Sequence, residues 1–204
     1  MATHLVWFRA DLRMHDNLAL AAACRDPHSR VLGVFIATPG QWRQHGMAAR
    51  QAAFIVSHLH SLQAALAEKG IPLHVEQAED FAASVKRLAS FCGQQQVTHL
   101  FYNYQYEINE RQRDAAVENT LAGVTCQGFD DSVLLPPGSV LTGNREMYKV
   151  FTPFKNAFLR RLQEALPECV AAPKVRASGP IAAASNVEID YPQTPFDSEL
   201  FRRG

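Results

Sequence analysis

No Gly-x-Gly-x-x-Gly follows the first apolar segment of this 204-residue chain, and no Gly-x-x-x-x-Gly-Lys occurs in it. Those absences remove the dinucleotide fingerprint and the phosphate loop, which both need glycines so that phosphate can approach backbone N–H groups. No Gly-x-Ser-x-Gly elbow is present either, so that route to a serine nucleophile is closed. Cysteine is scarce. Cys24, Cys92, Cys126 and Cys169 stand far apart, with no Cys-x-x-Cys pair and no histidines at ligand spacing, so no metal is expected. Each lies in or beside an apolar run, as reduced thiols of a cytoplasmic protein do. The chain opens on neither a signal peptide nor a membrane span. Net charge is lacking too: 20 basic residues balance 20 acidic ones, which leaves no overall electrostatic footprint for nucleic acid. Only Arg145 to Arg161, with five basic residues and one acid, departs from that balance. It reads as a solvated helix face or as a patch for phosphate.

What is present alternates. His4-Leu-Val-Trp-Phe8 and Val31-Leu-Gly-Val-Phe-Ile36 are short apolar runs suited to buried strands. Leu73–Glu76, His99–Asn103 and Thr125–Phe129 complete a set of five. Helices are expected after Asn17, over about Met47 to Lys69, from Phe81 behind an Asp80 cap, and from Asn109 to about Ala122. Ala37 to Gly46 reads as a loop. Strands alternating with such helices make an α/β fold: a doubly wound, Rossmann-like, five-stranded parallel sheet with helices on both faces. The pattern stops near Asp131. Beyond it a mostly irregular connector, rich in Pro, Ala and Ser, carries one helix near 152–166, and Ala171 to Gly204 is expected to pack weakly.

Two constellations sit where strands give way to helices. The turn Arg9-Ala-Asp-Leu-Arg13 with Asp16 and Asn17 gathers charge after the first strand, and Tyr102-Asn-Tyr-Gln-Tyr-Glu-Ile-Asn-Glu-Arg111 follows the fourth. In the common strand order these loops face each other across the topological switch point, where a flat ring enters such sheets. Glu110 is able to accept two hydrogen bonds from a heterocycle with adjacent N–H groups, and Asn109 to donate and accept beside it. Helix capping explains the same residues, as does local pairing among Arg9, Asp11 and Arg13. His45 is likewise either solvated or a ligand contact.

Trp7-Phe-Arg-Ala-Asp-Leu-Arg13 with Asp16-Asn17, then Tyr102 to Glu107, then Tyr148-Lys-Val-Phe-Thr-Pro-Phe154, closely resembles the DNA photolyase and cryptochrome family. The likeness spans the chain and is greatest to the amino-terminal part of bacterial, folate-using cyclobutane-pyrimidine-dimer photolyases. It implies an antenna domain over residues 1–131, a connector over 132–204, and a helical FAD-binding domain that this chain lacks. It also implies that His45, Asn109 and Glu110 contact the antenna pigment methenyltetrahydrofolate. FAD, damaged DNA and the helical domain would then be partners of the full-length lyase, and this chain alone, with no catalytic residue, is not expected to repair DNA. The competing reading is a nucleotide- or flavin-binding module of the electron-transfer or stress-protein type, with its ligand near Asp11 and Ala37.

Overall fold

The computed structural model describes residues 1–164, 166–177, 179, 181 and 187–195. β1 (Thr3–Phe8), β2 (Arg30–Ala37), β3 (Leu73–Gln77), β4 (His99–Asn103) and β5 (Thr125–Phe129) form one sheet in the order β3-β2-β1-β4-β5, every pair parallel. β1 is buried along its whole length. Its alternate residues serve two cores, because side chains of a strand point to opposite faces. Val6 and Phe8 pack with α1 (Leu18–Ala23) and α3 (Ala49–Glu68), whereas Leu5 and Trp7 pack with α4 (Phe81–Gln95) and α5 (Ile108–Thr120). Burial on both faces is why β1 and β2 read as continuous apolar runs.

Caps fix where the helices begin. Asn17 accepts from the Leu20 N–H at 3.0 Å and opens α1, and Asp80 does the same for Ala83 at 2.7 Å ahead of α4. Three expectations need correction. Ala37 to Gly46 is not all loop: Pro39–Gln44 forms a six-residue helix, α2, with proline in its first turn, where a missing N–H costs nothing. α5 begins one residue before Asn109, behind Glu107, so Asn109 is not its cap. The tail is irregular in its described part, yet it does not pack weakly. Val187 and Ile189 are buried in the α1/α3 core, and Arg176 donates to the carbonyls of Cys24, Asp26, Pro27 and Ser29. Residues 196–204, the end of that tail, lie outside the described residues. The connector helix, α6, covers Phe151–Glu164.

Burial pushes the Cys24 thiol up to about 11 and that of Cys92 up to about 12, so neither is a ready nucleophile; Cys169 is exposed, although it too lies beside an apolar run. Among the described residues no cluster of three metal-ligating side chains forms, and no helix is long and apolar enough to cross a membrane.

Two measurements probe this frame. A Cβ built on Gly33, in β2 between Val6 of β1 and Leu73 of β3, would meet both Leu73 Cδ1 and Phe8 Cε2 at 3.0 Å. Both neighbours are fully buried, so Gly33→Ala is expected to lower unfolding free energy by about 1–3 kcal/mol in urea titration. His74 on β3 sets its ring edge against Phe91 at 5.1 Å. Burial draws its pKa below 6.5; Glu76 opposes that shift and Arg30 adds to it. The unfolded chain therefore binds the proton more readily, and stability falls as pH drops through about 6.5. In His74→Gln the loss of stability between about pH 7.5 and 5.5 is expected to be smaller than in the parent.

Candidate functional site

Chain reversal at β1 and β4 puts the two charged loops side by side, but hydrogen bonds fill the space between them. Arg9, at the exit of β1, sends Nη1 to Asp114 Oδ1 of α5 at 2.7 Å and Nη2 to the carbonyl of Asn103. Asn103 donates to Asp11 Oδ2 at 2.7 Å and to Asn17 Oδ1 at 3.0 Å, and accepts from the Ala19 N–H at 3.1 Å. Asp11 accepts in addition from the Arg9 N–H at 2.8 Å. Arg13 is spent on Asp131 and on the carbonyl of Asp16. The remaining hollow, among Ala10, Asp11, Arg13, Asn103 and Gln105, holds only about 70 Å³. A flat ring does not fit in that hollow. The charges of the first turn stitch the sheet to α1 and α5.

A roomier concavity adjoins that hollow, with Arg9 and Ala10 in its wall. A cleft of about 430 Å³ opens above the ends of β1 and β2, within the size range of small-molecule sites. Phe35, Thr38, Gln41, Trp42, His45 and Met47 line it from β2 and α2, and Phe81, Gln105, Glu110 and Arg113 from α4, α5 and the loop after β4. Arg9 and Arg113 lie over the Trp7 ring, 4.7 and 4.6 Å from its centroid, and both bond Asp114 Oδ1. Burial and the neighbouring Arg9 charge lower the Arg113 pKa, while Asp114 and Glu110 hold it up. Arg113 also stacks on Phe81 at 4.6 Å and donates to Gln105 Oε1 at 2.9 Å, which stiffens the wall next to Glu110.

Two of the three expected site residues meet across this cleft. Glu110, half-buried in the first turn of α5 and close enough to support the Arg113 charge, makes no side-chain hydrogen bond among the described residues, so its carboxylate is left to accept one from elsewhere. His45 ends α2, its backbone N–H bonded to the Gln41 carbonyl at 3.0 Å, and its exposed ring lines the cleft. Asn109 is exposed, beside Glu110 in the sequence and outside the lining. Sequence reading missed Gln41 and Trp42. The Gln41 amide oxygen is buried without a partner among the described residues, an unsatisfied polar atom in a cleft wall. The signal for Trp42 was an aromatic residue inside a stretch read as loop.

The tyrosines after β4 are structural. Tyr102 is buried with its hydroxyl on Glu118, and Tyr106 donates to Asp130 Oδ1 at 2.8 Å. Burial, then these carboxylates, raises both phenols above their ordinary range.

The family model for DNA photolyase matches residues 4–173. This chain belongs to the DNA photolyase family. It is 62% identical over 201 residues to the deoxyribodipyrimidine photo-lyase of Escherichia coli K12, and 63% identical over 202 residues to that of Salmonella typhimurium LT2. Each alignment covers 98% of this chain and 43% of the relative, so this photolyase-family chain spans less than half the length of those enzymes. Its fold recurs in a cryptochrome from Synechocystis sp. PCC6803, at TM-score 0.72 and 19% identity over 100% of this chain and 41% of that one. It recurs also in the archaeal photolyase of Sulfolobus tokodaii, at TM-score 0.69 and 24% identity over 85% and 37% of the two chains. That photolyase was solved with two FAD molecules, with the implication of a novel light-harvesting cofactor.

Proposed function

We propose that this chain is the light-harvesting part of a deoxyribodipyrimidine photo-lyase and that the cleft between α2 and α5 seats methenyltetrahydrofolate. The observation that carries the reading is the unpartnered Glu110 carboxylate, facing a cleft walled by Phe35, Trp42 and Phe81 and closed on the far side by His45. The residues fit the group. A pterin edge offers adjacent N–H groups for a carboxylate, and its flat faces suit aromatic walls. When bound, the folate supplies near-UV absorption and hands its excitation to another chromophore.

This chain's own residues have positional work only. Glu110 orients the ring edge, Asn109 and His45 contact the ligand from the rim, the aromatic walls exclude water, and the Arg9–Asp114–Arg113 cluster holds α5 against β1. Residues 1–131 form the antenna unit and residues 132–204 the connector. FAD, the lesion in DNA and the bond-breaking chemistry belong to a helical domain of the longer parent, which works in the cytoplasm. This chain alone is inactive in repair, and no catalytic step is assigned to it.

A flavin in the same cleft is the second reading, favoured by the two-FAD archaeal relative and by the cleft volume of about 430 Å³. A nucleotide near Asp11 is disfavoured, because that carboxylate already takes donors from Arg9, Asn17 and Asn103. Parallel titrations of the purified chain with methenyltetrahydrofolate and with FMN, followed by absorbance and calorimetry, test the assignment. Saturable folate uptake is expected; FMN uptake without folate uptake would install the flavin reading.

A further inference from the structure

We infer that Tyr191 is a positioning residue for the cleft, and that the tail segment 187–194 is a clasp whose closure and ligand binding reinforce each other. The inference rests on the cleft being the ligand seat. α2 is a weak wall by itself: it has six residues, Pro39 is its one buried side chain, and Thr38 offers it no side-chain cap. Its shape is set from outside. Tyr191 sets its ring against Trp42 at 5.6 Å and donates its hydroxyl to the Met47 carbonyl, so one side chain grips two cleft-lining residues.

The rest of the segment is pinned on either side of that grip. Val187 and Ile189 are buried in the α1/α3 core. Gln77, at the end of β3, donates to the Glu188 carbonyl at 3.2 Å and accepts from the Asp190 N–H at 2.8 Å. Arg43 of α2 reaches the Asp190 carbonyl at 2.8 Å, and the Thr194 N–H reaches the Ala49 carbonyl at 3.3 Å. The clasp thus spans the β3 end, α2 and the start of α3, and none of these bonds reaches α5. Ligand held between α2 and α5 needs α2 in place, and by thermodynamic reciprocity bound ligand tightens the clasp by the same factor.

The test uses the whole 204-residue chain, Tyr191→Ala, Tyr191→Phe and Arg43→Gln, with methenyltetrahydrofolate as probe. Amide exchange is read without ligand at Trp42, His45 and Met47, which donate to Thr38, Gln41 and Trp42 carbonyls, and at the β1 amides as an internal reference. Tyr191→Ala is expected to speed exchange in α2 while β1 stays protected, and to weaken folate uptake about tenfold, equivalent to about 1.4 kcal/mol. Tyr191→Phe keeps the ring and is expected to recover most of that loss, and Arg43→Gln to show a smaller shift in the same direction. In the parent chain, added folate is expected to slow exchange at Asp190, Tyr191 and Thr194. Unchanged α2 exchange in Tyr191→Ala overturns the clasp, and so does a loosened α2 with undiminished folate uptake. Failure of the parent chain to take up folate removes the folate assignment instead, and the ligand-free exchange then decides the clasp by itself.

Discussion

Replacing Asp114 by alanine is expected to remove about 3–5 kcal/mol of unfolding free energy, because it strands two buried guanidinium groups beside each other. The Asp114 side chain is 6% exposed, as is that of Arg9, and its Oδ1 holds Arg9 Nη1 at 2.7 Å and Arg113 Nη2 at 3.0 Å. A guanidinium is a fixed positive charge at neutral pH, so the penalty stays in the folded state. Asp114→Asn keeps an acceptor and loses the charge, which places it between parent and alanine. Asp190→Ala breaks an ion pair with Arg43 in which Asp190 is 89% exposed, and about 0–1 kcal/mol is expected there. Urea unfolding followed by tryptophan emission measures all three, with Trp7 inside the affected cluster. A loss below about 1 kcal/mol in Asp114→Ala would mean that the cluster relaxes into solvent. Added salt should not restore stability, since buried pairs are poorly screened.

Glu110→Ala is expected to weaken folate uptake by about 1.5–3 kcal/mol, which is about tenfold to a hundredfold, while changing stability by about 0.5 kcal/mol or less. The split between the two readouts separates a ligand contact from a helix-end role. The Glu110 side chain has no hydrogen bond to lose among the described residues. Its charge favours the positive end of α5 from the first turn and supports the neighbouring Arg113 charge, small contributions at a half-buried position. Glu110→Gln retains an acceptor and should lose less affinity than alanine does. Exposed Asn109, when changed to Ala, should lose less again.

β1, β2 and β4 were legible because their apolar residues form short runs buried in the sheet, whereas the partly exposed β3 and β5 were legible from their place in the strand–helix alternation. α2 was not. Pro39-Gly-Gln-Trp-Arg-Gln44 has no helical periodicity to read, and its shape depends on residues 187–194 of the tail. The clasp itself was hidden by composition: Val187-Glu-Ile-Asp-Tyr191 alternates apolar and polar residues, yet it lies in a stretch dominated by Pro, Ala and Ser. Residue types at the switch point did not reveal that Arg9 reaches Asp114 across 105 positions, a tertiary contact. His45 and Glu110 lie far apart in the sequence, at the end of α2 and on α5. Their convergence on one cleft is tertiary information, suggested beforehand only by the family resemblance.

The most direct test is a crystal structure of this chain grown with methenyltetrahydrofolate. The account predicts ring density between Trp42 and Phe81 with the Glu110 carboxylate within hydrogen-bond reach of the pterin N–H edge, and an unchanged Arg9–Asp11–Asn103 network at the strand reversal. Folate density in the hollow between β1 and β4, or on a surface away from Glu110, would contradict it.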